Sequence, residues 1–356
     1  EITMLMSDLY LWLSYSHVPT AKINKILQKM SPTALWDAFA EESKYILDDK
    51  TFNALKRTRN VEYIERAKQY LETNNIKYVT RADPIYPSLL MQSEVNPPPV
   101  LYYKGKIEIA RDPCLAVVGT RRASQYGRYV TDRIVRELAG AFTVVSGLAA
   151  GIDGFAHTAA LNAGGNTVAV LGSGIFHASP SSNLRLFDEI CKSGLVLSEY
   201  PPDVHASEYT FPQRNRLISG LSKGVLVVEA AERSGSLITA NCALEQGRDV
   251  FAVMGDVDKT RSVGTNKLIK DGAVPVTCAA DILEYYSVSA KKSEPKTVAL
   301  DFTEQRVLDE LSAGERSFDG LTEACGLTAA ELNTALSALI IYGLVHEKAK
   351  NLYCVS

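Results

Sequence analysis

Any chemistry in this chain has to come from glycine-bearing turns that also carry serine, threonine and arginine. Four stand out: Gly119-Thr120-Arg121-Arg122, the run from Ser146-Gly147 to Gly151-Ile152-Asp153, Gly172-Ser173-Gly174, and Arg233-Ser234-Gly235-Ser236 with Thr239 one turn later. Glycine lets backbone approach a ligand and exposes amide donors, and the hydroxyls and guanidinium groups add more. Helices starting behind such turns contribute positive partial charge, so the four together would make an anion-binding rim. Arginine narrows the anion to phosphate, because its forked donors grip two oxygens at once. Arg121, Arg214 and Arg216, each flanked by turn-forming residues, are read as phosphate contacts. Arg122, Asn183, Asn215, Asn266 and Lys267 join them as secondary contacts, whereas Lys259 and Lys270 read as solvated surface charge.

The same residues argue against other chemistries. A dinucleotide site wants GxGxxG after its first strand, but Gly119-Thr120-Arg121-Arg122-Ala123-Ser124 lacks the second glycine. The next strand ends in Ser146-Gly147, with no carboxylate for a ribose hydroxyl, and no GxxxxGK[ST] occurs anywhere. Asp153 and His157 share a helix face and read as a cap and a packed histidine. Glu229 ends an apolar run and could act as a general base, but no nucleophile or metal-ligand set accompanies it. The six cysteines are scattered, with no CxxC pair for zinc or for a disulfide lattice. The expectation is therefore a binding protein with no catalytic residues and no metal site.

These turns need a scaffold, and the apolar pattern supplies it. Short β-branched runs recur at Leu115–Val118, Thr143–Val145, Thr167–Leu171, Leu195–Leu197, Val225–Val228, Val250–Val253 and Val274–Thr277. Amphipathic stretches such as 127–138, 153–163 and 237–246 separate most of them. Apolar strands alternating with helices mean a doubly wound, mostly parallel sheet, here over residues 76–286. Ahead of it, residues 1–75 show helical spacing, with Leu9, Trp12 and Leu13 on one face and Leu35, Trp36 and Phe39 on another. This small SAM-like module reads as a packing or interaction unit. The proline-rich stretch 81–105 joins the two, flanked by possible edge strands at Lys77–Val79 and Val100–Tyr103. Residues 287–298 read as a linker. Beyond it, residues 299–356 spell helix, turn, helix, helix and two strands, the outline of a winged helix, with Gly343 as a left-handed cap.

Composition agrees with a soluble globular protein of several domains: 356 residues, 46% hydrophobic and 22% charged. No apolar run approaches a bilayer span and no export signal is visible, so no membrane partner and a cytosolic location are expected. A net charge of −3 would argue against nucleic acid, except that phosphate responds to local potential.

Read in order, the motifs resemble the DprA (Smf) family of DNA-processing proteins. The resemblance rests on Ala116-Val117-Val118-Gly119-Thr120-Arg121, Ser146-Gly147-Leu148-Ala149 and Phe211-Pro212-Gln213-Arg214-Asn215-Arg216. Arg233-Ser234-Gly235-Ser236-Leu237-Ile238-Thr239 and Gly264-Thr265-Asn266-Lys267 continue it. The resemblance implies an extended Rossmann-like domain that binds single-stranded DNA, forms a homodimer and helps load RecA recombinase during natural transformation, without a cofactor. Three departures stand out: Ala150 replaces a usual arginine, Ser179-Pro180-Ser181-Ser182-Asn183 replaces YPxxN, and Met254 replaces the proline of VPG. The candidate recognition helix of the winged helix, 328–342, carries Glu331 and no Lys or Arg, so it is expected to meet protein, not duplex DNA. Two other readings compete: an enzyme on a nucleotide or ribose-phosphate with Glu229 as base, and a scaffold that binds proteins alone.

Overall fold

A computed structural model describes residues 4–39, 46–290, 300–349 and 351–355. Each expected apolar run is a strand: β3 (Cys114–Val118), β4 (Thr143–Ser146), β5 (Thr167–Leu171), β6 (Leu195–Ser198), β7 (Gly224–Val227), β8 (Asp249–Val253) and β9 (Val274–Val276). The edge strands β1 (Lys77–Thr80) and β2 (Val100–Gly105) frame the proline-rich stretch. All nine form one sheet in the order β1-β2-β6-β5-β4-β3-β7-β8-β9. Pairing is parallel from β6 through β9, while β2 runs antiparallel to both β1 and β6. Residues of β3, β4, β5, β6 and β7 are buried throughout, which is why these strands read as unbroken apolar runs instead of alternating ones.

Strand order decides where a ligand can sit. The chain leaves β3 outward through β4, β5 and β6, then returns to β3's other side to lay down β7, β8 and β9. The carboxyl ends of β3 and β7 therefore flank a topological switch point, where a doubly wound sheet opens a crevice. On one face lie α9 (Thr210–Gly220) and α10 (Gly235–Glu245), packed through Leu217, Ile218, Ala240 and Ala243. On the other lie α6 (Gln125–Leu138) and α7 (Ile152–Asn162), packed through Ile134, Leu138, Ala156 and Ala160. The remaining crossovers are α8 (Leu184–Ser193), α11 (Val263–Lys270) and α12 (Ala279–Tyr285).

One expectation needs correcting. Arg214 and Arg216 read as flanked by turn residues at loop ends, yet Phe211–Arg216 forms the first half of α9. Proline is tolerated there because first-turn amides have no intrahelical partner in any case.

The N-terminal helices α1 (Met6–Tyr15), α2 (Thr20–Leu27), α3 (Pro32–Asp37), α4 (Asp49–Thr58) and α5 (Val61–Thr73) gather around Trp12, whose indole donates to Leu55 O at 3.1 Å. Their core runs on into the sheet through Tyr102, which meets Ser14 Oγ at 2.9 Å. The part of the linker reading at 291–298 lies outside the described residues. After it, α13 (Phe302–Ser312), α14 (Phe318–Cys325) and α15 (Ala329–Ile341) pack on a three-stranded sheet of β10 (Arg316–Ser317), β12 (Leu352–Val355) and β11 (Val345–Ala349). Strand β10 was not legible beforehand. Gly343 has φ of 67°, as a left-handed cap requires, and its carbonyl accepts from Arg136 on α6. No helix among the described residues is long and apolar enough to cross a membrane.

Candidate nucleic-acid interface

The turn after β3 is held from below and from both sides. Thr120 N donates to Glu229 O at 2.8 Å, and Ser124 donates to the Glu229 carboxylate from its amide (2.9 Å) and its hydroxyl. Gly151 has φ of 79°, and a Cβ there would lie 2.3 Å from Thr120 O, so only glycine lets the second turn pass under the first. With its backbone braced, the turn presents Arg121 outward, its guanidinium 5.2 Å from the centre of the Phe211 ring.

Phe211 sits in the first turn of α9, and Arg214, one turn on, lies on the same side, 6.0 Å from the same ring. Arg214 is buried: Nη1 donates to Gly147 O at 2.7 Å and to Val170 O. Gly147 in turn donates its amide to Asp153 Oδ2 at 3.1 Å, and a Cβ at this position would strike both Arg214 and Asp153. Burial pulls the Arg214 pKa down to about 10, which leaves it protonated at neutral pH. Burial pushes Asp153 upward, against the pull of Arg214 beside it. His157 completes this buried knot, with Nδ1 at 2.7 Å from Thr167 Oγ1 and its pKa lowered to about 3 by burial and then by Arg214.

Arg216 lies two residues beyond Arg214, about 200° around the helix, and so faces elsewhere. Its Nη2 donates to both oxygens of the buried Glu199, at 2.7 and 2.6 Å, and Nη1 donates to Val95 O at 3.2 Å. Glu199 also accepts from Thr20 at the start of α2, tying the N-terminal helices to α9.

From these parts a groove of about 430 Å3 forms at the switch point. Gly119, Arg121, Phe211 and Arg214 line it with Ser234, Gly235, Ser236 and Thr239, and Asn215 links the two sets by donating to Gly235 O at 3.4 Å. Gly235 opens α10 in open space, where a Cβ would meet nothing, while the Ser234 hydroxyl caps the helix by accepting from Ser236 N at 3.4 Å. Two carboxylates also belong to the lining, exposed Glu208 and buried Asp153, the latter beside Arg214.

Several expected contacts serve this groove indirectly. Gly172 leaves room for Phe211, since a Cβ would approach the ring to 2.8 Å. Gly174 donates its amide to Val204 O, and Asn183 Nδ2 donates to Leu148 O and Ala149 O at 3.0 Å each. Asn266 brackets Gly255 through both amide groups, and exposed Lys267 on α11 is not part of the groove lining. Arg122 is exposed on the same turn as Arg121 but outside the lining. Arg216 and Gly147 are the clearest corrections: both Arg216 Nη atoms and the Gly147 amide are bonded inside the protein, and neither residue lines the groove. Sequence reasoning missed Phe211 as a groove wall. Its position three residues before Arg214, hence on the same helix face, was the available signal. Glu229, weighed as a base, has both oxygens taken by Ser124.

Fold and groove together define a doubly wound α/β protein whose cleft, at the carboxyl ends of its strands, carries arginine and helix-terminal amides, followed by a winged helix. The chain belongs to the family of DNA recombination-mediator protein A, whose model matches residues 77–287; the model of the DprA winged helix domain matches residues 291–349. It is 44% identical to DNA processing protein DprA of Bacillus subtilis over 196 residues, covering 54% of this chain and 66% of that one. It is 40% identical to protein Smf of Escherichia coli over 297 residues, covering 79% and 78%. The X-ray structure of DprA from Streptococcus pneumoniae superposes with a TM-score of 0.67 at 34% identity, over 80% of this chain and 98% of the other. DNA processing protein A from Helicobacter pylori, in a structure described as giving insight into its single-stranded DNA binding mode, superposes with a TM-score of 0.53 at 28% identity, covering 60% and 95%.

Proposed function

We propose that the groove at the switch point binds single-stranded DNA. Arg121 and the Ser234–Ser236 turn hold the sugar-phosphate chain, and Phe211 offers a ring face to a base. The observation that carries this reading is the meeting of Arg121, Phe211 and Ser234–Ser236 in one groove from three separate turns. The single-stranded DNA binding mode described for the H. pylori relative supports it. The chain then acts by holding and delivering the strand, without chemistry on it. A RecA-type recombinase as recipient and a homodimer through the α/β domain complete the proposal, with the cytosol as its location.

Fluorescence anisotropy with labelled oligothymidylate tests the central claim. Affinity should fall steadily as salt rises from about 50 to 300 mM, with a log–log slope near −0.7 for each phosphate neutralised. A flat profile rules out phosphate-led binding. Co-sedimentation with a RecA-type protein and the mass of the free protein in solution test the two further parts.

A further inference from the structure

Further along the turn that carries Arg121, a second cavity of about 630 Å3 opens between the start of α6 and the segment after β8. Its apolar walls are Tyr126 and Met254, each about half exposed. Tyr126 is uncovered yet fixed, because its hydroxyl donates to Met254 O at 3.1 Å. The opposing wall is equally firm. Asn266 bonds Gly255 at its amide (3.3 Å) and its carbonyl (2.9 Å), and Ser262 Oγ fills the space where a Gly255 Cβ would stand. Arg261 Nε donates to Arg122 O at 2.7 Å, so this wall is stapled to the same turn that bears Arg121.

The charges in and around this cavity select its occupant. The buried carboxylate of the lining, Glu229, is engaged by Ser124 and disfavours a phosphate at depth, while Asp256 is exposed with the cations. At the rim stand Lys259, which has a weak surface pairing with Asp258 at 3.7 Å, and Arg261, with Arg122 close by through its carbonyl. An uncharged planar ring inside with phosphates on either side fits that distribution; a bare anion does not. A rigid phenol face beside a soft methionine is also the surface on which a base of any sequence stacks.

We propose that this cavity receives a nucleobase of the same DNA strand, stacked on Tyr126, beyond the nucleotides held in the first groove. The inference rests on the proposed single-stranded DNA binding and extends its path across the Arg121–Arg122 turn. Lys259, read from the sequence as plain surface charge, then flanks a bound phosphate.

Two oligothymidylates, one of about 4 and one of about 16 nucleotides, separate this claim from the reading beneath it. Wild-type protein that binds neither overturns the DNA reading itself. If wild type binds both, Tyr126→Ala should weaken the longer oligonucleotide about 5- to 10-fold and leave the shorter one unchanged, as expected for one lost base stack. Tyr126→Phe keeps the ring and should stay within about twofold of wild type. Photocrosslinking of a 5-iodouracil-substituted long oligonucleotide should label the peptide that contains Tyr126. Equal losses on both lengths, no loss on either, or labelling confined to the Phe211 peptide would each overturn the second subsite. Unchanged binding of the short oligonucleotide also establishes that the alanine variant is folded.

Discussion

Arg121 and Arg216 belong to equally basic motifs, and the structure gives them opposite jobs, so replacing each with alanine is a sharp test. Arg121 is exposed at the groove, held over Phe211, and its loss leaves no buried partner behind. Arg121→Ala should therefore leave thermal stability unchanged. It removes one charge-assisted contact, worth about 1.5–3 kcal/mol, so affinity for oligothymidylate should fall roughly 10- to 100-fold. The salt slope should shrink by about 0.7 as one phosphate contact disappears. Arg216 is the reverse. Its side chain is 10% exposed and that of Glu199 7%, with the two charges in contact at 2.6 Å. Arg216→Ala leaves the carboxylate buried without its cation, at a cost of about 3–5 kcal/mol. For a domain of this size each kcal/mol lowers Tm by about 2–4 °C, so a drop of roughly 6–20 °C is expected. Exchanging both residues for methionine should recover much of that loss, because a buried pair replaced by apolar side chains is often neutral. The assays are differential scanning fluorimetry and anisotropy over a salt series on the same preparations. A stable Arg216→Ala protein with weakened DNA binding, or an Arg121→Ala protein that melts early, would refute the division of labour.

Other outcomes follow from the same geometry. Gly151→Ala forces a side chain into a φ of 79° and against Thr120 O, which should destabilise the protein by at least about 2 kcal/mol and weaken oligothymidylate binding in the same variant. His157 is neutral and buried, with a pKa lowered from 6.5 to about 3, so the unfolded chain binds a proton in this window that the folded chain refuses. Stability should fall by about 2 kcal/mol between pH 6.5 and 5, and His157→Gln should flatten that part of a urea-denaturation series against pH. Arg136→Ala removes the donor that meets Gly343 O, and limited proteolysis should then release the winged helix faster while the α/β domain stays intact.

Much of this protein was legible in one dimension. Strands that are buried on both faces must be unbroken apolar runs, so Leu115–Val118 and its six counterparts announce the parallel sheet. Turn glycines marked the loops at its carboxyl edge, and Gly343 marked the end of a helix, because local backbone geometry depends on local residue type. The side-chain assignments were another matter. Whether an arginine meets solvent or a buried carboxylate depends on what the fold brings beside it, and Glu199, Val95 and Asp153 lie 17, 121 and 61 residues from the arginines they face. The turn-forming residues around Arg214 and Arg216 hid the helix that points them to different sides. Composition and spacing determined the sheet, its turns and the winged helix. Long-range packing decided that Arg121 faces the groove while Arg216, Gly147 and Asn183 hold it together from within, because partners distant in sequence become neighbours only once the sheet is assembled.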